Sequence, residues 1–399
     1  MQLGALRQRL RALGAAPVHE QHLLRGWVQL RGPGPRRRPE HFLPLALREA
    51  WPGIAEELAG LVRLHSEHPG DDGSARLLLA LRDGQTIESV LLPREGLCVS
   101  TQVGCAVGCV FCMTGTGGLL RQVGSAEIAA QVVAARQHRP VKKVVFMGMG
   151  EPAHNLEAVL EAIQFLGREG GIGHKNLVLS TVGDPRLFER LRALGPGDVK
   201  PALALSLHTT KAALRAELLP RAPRYEPAAL LAEAADYARA TDYPLQVQWT
   251  LLDGVNDGDD ELEAVAALLK GRYAMLNLIP YNQVEGLPWR RPNWDRAAEM
   301  SRVLNRQGVL TRLRRSAGQD VDAGCGQLRA RAENGEQRIS LHRKPRPAGS
   351  GPSTPGAAPN ALPPASPAPA AGPDLALHPA PLAPAAHPEP GAAGARALP

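Results

Sequence analysis

The stretch Cys105-Ala106-Val107-Gly108-Cys109-Val110-Phe111-Cys112 sets three cysteines at C-x3-C-x2-C spacing in a chain that has only five. Three thiolates from one short loop can hold three irons of a cubane cluster, whereas an ordinary ferredoxin cluster takes four cysteines. The fourth iron is then open to bind and reduce a small molecule. A structural zinc loop is the alternative reading. Zinc more often takes paired C-x2-C units or adds histidine, and this loop contains no histidine.

Downstream of the loop, short apolar runs alternate with helical patterns. Strands are expected at 99–103, 143–147, 176–180, 202–207, 245–251, 275–279 and 309–314. Helices are expected near 125–137, 155–166, 211–219, 227–240, 259–270 and 294–307, with another starting at Asp184-Pro185. Regular alternation argues for an α/β fold, a parallel sheet covered by helices. About six units suit a partial (β/α)6 TIM-like barrel better than a closed one. Such folds place their chemistry at the C-terminal ends of the strands. Gly150, Glu151, Ser180, Ser206, His208 and Asn282 all fall at or just past expected strand ends.

Upstream, residues 1–70 read as a small helical accessory domain, from Leu3, Leu10 and Leu13 and later from Leu58, Leu61 and Leu64. A basic loop at 32–40 interrupts it. Residues 71–97 read as a β-hairpin linker turning at Asp83-Gly84. The core is expected over 98–344. The tail, 345–399, holds 16 of the 36 prolines and is expected to be disordered, because it cannot bury enough apolar surface to offset ordering entropy.

The net charge is +7, unevenly spread. Residues 1–50 carry nine Lys/Arg against three Asp/Glu, and residues 301–345 carry ten against four. Positive charge at both ends of the folded part suits an RNA partner met through its phosphates. No apolar run of membrane-spanning length occurs, so no membrane partner is expected. Few cysteines, three of them clustered, point to a reducing cytoplasm rather than a secreted disulfide framework.

An open-iron cluster in a barrel of this kind resembles the radical S-adenosylmethionine (SAM) arrangement. Gly148-Met149-Gly150-Glu151 would let the backbone approach the cofactor and offer a carboxylate to its amino group. The ordered set IESVLLP, LCVSTQVGCAVGCVFC, MGMGEP, LST, SLH, LLDGVND, NLIPYN and AGCGQL, from about Leu78 to Lys344, strongly resembles the RlmN/Cfr family of dual-specificity ribosomal and transfer RNA adenine methyltransferases. The chain departs from that pattern at Ala317-Gly318, where arginine usually precedes the glycine, and at Gly324, where alanine is usual.

The resemblance implies one 4Fe-4S cluster on Cys105, Cys109 and Cys112, and SAM contacts from Gly150, Glu151, Ser180, Ser206, Leu207, His208 and Asn282. It implies that Cys325 is methylated and then bonded to the base, that Cys98 resolves the adduct through a transient disulfide, and that Glu88 is a proton acceptor. Two SAM molecules are used per turnover. The expected substrate is an adenine ring carbon, carbon 2, in 23S rRNA and also tRNA. Expected partners are an electron donor such as flavodoxin or ferredoxin, and no second copy of the chain. The alternatives are carbon 8, or a paralogous radical SAM enzyme acting on another RNA, a protein or a small molecule.

Overall fold

The computed structural model describes residues 1–31, 42–284 and 286–330. The basic loop at 32–40 and the Pro/Ala-rich stretch from 345 lie outside the described residues. Three helices open the chain: α1 (Leu3–Ala12), α2 (Pro17–Gln29) and α3 (Leu45–Ala59). In α1 the leucines at 3, 6 and 10 fall on one helical face and are buried. In α2 Pro17 takes the first position, where no N–H is needed.

The chain then enters strands β1 (Val62–Pro69), β2 (Ala75–Leu81) and β3 (Thr86–Leu92), an antiparallel meander. Here the structure departs from the helical reading of 58–70. Gly60 caps α3, Leu61 is buried and Leu64 is 40% exposed, because pairing with β2 pulls 62–69 into the sheet. Pairing with the strand that follows it overrides the local helical periodicity.

Next come β4 (Gly96–Cys98), β5 (Gln102–Gly104) and β6 (Leu119–Gln122). The expected strand at 99–103 is split. Ser100 interrupts it: Gln131 donates to the Ser100 carbonyl (2.8 Å) and accepts from its amide (2.8 Å), replacing a strand partner. The alternating units follow: α4 (Ser125–His138), β7 (Lys143–Phe146), α5 (Leu156–Arg168), β8 (Leu177–Thr181), α6 (Pro185–Arg192), β9 (Ala202–Ser206), α7 (Ala212–Leu218), α8 (Pro227–Thr241), β10 (Leu245–Leu251), α9 (Asp259–Leu269), β11 (Ala274–Pro280), α10 (Trp294–Arg306) and β12 (Thr311–Leu313).

One ten-stranded sheet runs β1-β2-β3-β4-β7-β8-β9-β10-β11-β12, and every pair from β4 to β12 is parallel. The ladder ends at β12 without rejoining β4, so the barrel is partial. Register places Ser206, Gln248, Asn277 and Arg312 side by side on four consecutive strands. The opening helices pack on α4 and α5; Leu3 N–H donates to Ser125 Oγ (2.7 Å), and Gln2 accepts from the Ser125 amide (2.9 Å). Sandwiched in this way, α4 is buried nearly all round, its polar Ser125, Glu127 and Gln131 included. No helix among the described residues is long and apolar enough to cross a membrane.

Gln131 also accepts from Ser89 Oγ (2.8 Å) and is fully buried. Gln131→Ala would leave the Ser100 main chain unsatisfied away from water. We expect a loss of roughly 2–4 kcal/mol in urea unfolding, with the m-value unchanged.

Candidate active site

The parallel sheet delivers its strand ends to one rim, and the cysteine loop closes over it. Cys105, Cys109 and Cys112 line a single cavity with Gly150 and Glu151 after β7, Ser180 on β8, Ser206 and His208 at the end of β9, and Cys325 from the C-terminal loop. Cys98, Glu88, Leu207 and Asn282 do not line it. The Leu207 side chain is in the core, so only its main chain could meet a ligand. Asn282 holds the C-terminal loop: its Nδ2 donates to Ser316 Oγ (2.8 Å) and to the Cys325 carbonyl (2.9 Å), and its Oδ1 accepts from Gln319 (2.9 Å).

The donor set fits a multi-iron cluster: three thiols of one short loop line the same cavity, and three thiolates can hold three irons of a cubane. Burial pushes Cys105 up to about 12 and raises Cys109 and Cys112, so without a cation they stay protonated. Amides of Val107 and Gly108 oppose this at Cys105, and those of Thr114 and Gly115 at Cys112. Such N–H···S bonds stabilise thiolate once iron is bound.

Glu151 lines the cavity and is buried. Burial raises its carboxyl to about 7, against hydrogen bonds from Thr181 Oγ1 (2.7 Å), the Ala153 amide (3.1 Å) and the Val182 amide (3.0 Å). Gly150 precedes it at φ 110°, where an added Cβ would lie 2.7 Å from Gln102 and from Thr101 Oγ1. Only glycine fits that turn.

His208 has a left-handed backbone, φ 65°. Asn256, from the LLDGVND stretch, holds it there by donating to the His208 carbonyl (2.7 Å). The Thr250 amide donates to His208 Nδ1 (3.0 Å), which puts the proton on Nε2. Burial, helped by the Arg215 charge, lowers His208 to about 3, so it is a neutral donor at any working pH.

Arg215, on α7, gave no sequence signal. It is 3% exposed and donates to the carbonyls of Val182 and Ser206. Burial lowers it to about 10, while the nearby charges of Cys109 and Glu151 oppose the shift. It places a buried positive charge beside Cys109 and Glu151. Its short helix belongs to no motif, so only the topology reveals it.

Cys98 and Cys325 complete the set. Cys325 is open to the cavity yet ringed by protein, and that desolvation raises its thiol; Arg314 and a hydrogen bond from Ser316 pull the other way. Cys98 is buried, and desolvation lifts it to about 12, with the charge of Cys325 close enough to add to the rise. The disulfide implied for these two is not present: all five cysteines are free.

Fold and site together define a radical SAM enzyme. The radical SAM superfamily model matches residues 99–269. A probable RNA methyltransferase of Leptothrix cholodnii is 69% identical over 83% of this chain and 95% of its own. Another, from Pseudomonas aeruginosa, is 62% identical over 84% of this chain and 97% of its own. The crystal structure of a radical SAM methyltransferase from Sphaerobacter thermophilus superposes with a TM-score of 0.71 at 34% identity, over 83% of this chain and 98% of that one. The chain belongs to the radical SAM family that these RNA methyltransferase relatives form.

To receive the cofactor's ammonium group, as the resemblance implies, the Glu151 carboxyl would have to be ionised. Its elevated pKa predicts that SAM binding to cluster-loaded protein strengthens roughly tenfold between pH 6 and pH 8. Equilibrium dialysis should show this rise, and Glu151→Gln should bind weakly with no pH dependence.

Proposed function

We propose that the chain methylates carbon 2 of an adenine in RNA, 23S rRNA and also tRNA, with Cys325 as methyl carrier and Cys98 as resolving thiol. The observation that carries this reading is the placement of Cys325. It is exposed in the same cavity as the three-cysteine loop, and a second free thiol, Cys98, lies near enough for the charge of Cys325 to raise it. A radical SAM enzyme acting by cluster and cofactor alone needs neither outlying cysteine.

Bound at Cys105, Cys109 and Cys112, the cluster with SAM would supply both a transferable methyl group and a hydrogen-abstracting radical. The protein's own groups do the rest. Glu151 and the Nε2–H of His208 would hold opposite ends of the cofactor, one accepting and one donating. Arg314 and the Ser316 hydroxyl favour the Cys325 thiolate that takes the methyl group. Asn282, bonded to Ser316 and to the Cys325 carbonyl, keeps that sulfur facing the cavity.

Once the methylene bridges Cys325 to the adenine and the ring carbon has lost its proton, the Cys98 sulfur attacks that of Cys325. The sulfur–carbon bond breaks, its electron pair stays with the methylene carbon, and a proton completes the methyl group. The Cys98–Cys325 disulfide that results takes two electrons from a thiol reductant, in keeping with a cytoplasmic setting. Both thiols are raised when free, which protects them from premature oxidation, since exchange proceeds through thiolate. The adenine must be unstacked to reach Cys325, and the basic ends of the folded part suit the flanking phosphates. A flavodoxin or ferredoxin would deliver the electron.

Mass spectrometry of rRNA and tRNA from a deletion strain tests the reading. We expect 2-methyladenosine to disappear. Loss of 8-methyladenosine instead would overturn the position, and no loss of any methyladenosine would overturn the function. Cys98→Ala should accumulate a covalent protein–RNA adduct; normal turnover without one would exclude the resolving role.

A further inference from the structure

Cys325 lies in a segment with almost no secondary structure of its own: among the described residues after β12 there is a single 3-10 turn, Gln319–Val321. Something outside must fix it. We propose that Arg76 and Glu88 form the positioning pair for the Cys325 loop, so that Glu88 acts on the nucleophile's placement and not as a base toward the adenine. The proposal rests on Cys325 being the methyl carrier.

Arg76 on β2 and Glu88 on β3 are 5% and 0% exposed. They pair at 2.6 Å between Arg76 Nη1 and Glu88 Oε1. Each then reaches across to the main chain of the same segment. Arg76 Nε donates to the Val321 carbonyl (2.7 Å), and the Arg329 amide donates to Glu88 Oε2 (2.7 Å). Cys325 stands midway, four residues from each anchor. One ion pair therefore grips both ends of the nine-residue span from 321 to 329.

The grip has a counterpart on the other side. The Met113 amide donates to the Gly326 carbonyl (2.8 Å), and Thr114 Oγ1 donates to that of Leu328 (2.7 Å), so the cluster loop holds the middle of the span. Within the span, Gln327 Oε1 accepts from the Gly324 amide (2.9 Å). A Cβ on Gly324 would come within 2.5 Å of that oxygen and 2.8 Å of Asn282 Nδ2, which accounts for glycine where the family usually has alanine.

The geometry also speaks against a base role. Glu88 does not line the cavity, and both its oxygens already accept strong hydrogen bonds. A buried ion pair is a weak source of stability but a strong source of register. Here the register it sets is that of the reactive sulfur.

Glu88→Gln separates the two roles. An amide can accept at only one oxygen, so its NH2 must face either the Arg76 guanidinium or the Arg329 N–H, donor against donor. Methylation of Cys325 requires no proton from the adenine. A base role therefore leaves Cys325 methylation intact and blocks only RNA product. The positioning role lowers Cys325 methylation itself, measured by peptide mass spectrometry on cluster-loaded protein without RNA. We expect a fall of roughly ten- to a hundredfold, with iron content unchanged and partial recovery in Arg76→Lys relative to Arg76→Met.

The double variant Arg76→Met/Glu88→Gln removes both charges and leaves no lone buried ion. In it, iodoacetamide should alkylate Cys325 at an altered rate, and proteolysis between 318 and 330 should be faster. Full Cys325 methylation in Glu88→Gln, or alkylation and proteolysis unchanged in the double variant, would overturn the proposal. Absence of methyl-Cys325 from the parent protein would instead overturn the methyl-carrier reading, and the alkylation and proteolysis measurements would still judge the clamp.

Discussion

Parallel pairing from β4 through β12 is the constraint on which this site depends. Parallel strands joined by helices all end at the same rim, so residues scattered from Glu151 to Ser206 arrive together without any contact in sequence. The cysteine loop needs only to fold over that rim. Even the interruption at Ser100 serves the arrangement: the strand is stopped by Gln131, and the chain turns toward the loop.

Within the rim, low polarity decides the chemistry. The same desolvation that keeps five thiols protonated raises Glu151 to about 7 and keeps His208 neutral. Groups so placed are unstable as lone charges and become useful when a cationic cluster and a zwitterionic cofactor arrive. Arg215, buried among them, supplies positive charge with no solvent access. The C-terminal loop has no ladder of its own and is held from two sides, by the antiparallel meander through Arg76 and Glu88 and by the cluster loop through Met113 and Thr114.

Much of this was legible beforehand. The strand–helix alternation after Cys98 is written in apolar runs of distinct period bounded by caps and turns, and most of those elements stand within a residue or two of where periodicity placed them. Gly150, Glu151, Ser180, Ser206 and His208 were readable because they follow such runs directly. The strand at 62–69 was not, because its pairing partner rather than its own pattern makes it extended. Asn282 was expected at the cofactor; its bonds to Ser316, Gln319 and the Cys325 carbonyl join segments that spacing does not connect.

The sequence by itself determined the chemistry on offer: three clustered thiols, two outlying ones, and polar residues timed to strand ends. Those are local patterns, and local patterns survive in one dimension. Only the tertiary structure decided which groups meet. It put Arg215 beside Cys109 and Glu151, Cys98 near Cys325, and the Arg76–Glu88 pair across both ends of the loop. Each of those contacts joins residues far apart in the chain, and their energies come from burial and hydrogen bonds that exist only after the sheet has closed around them.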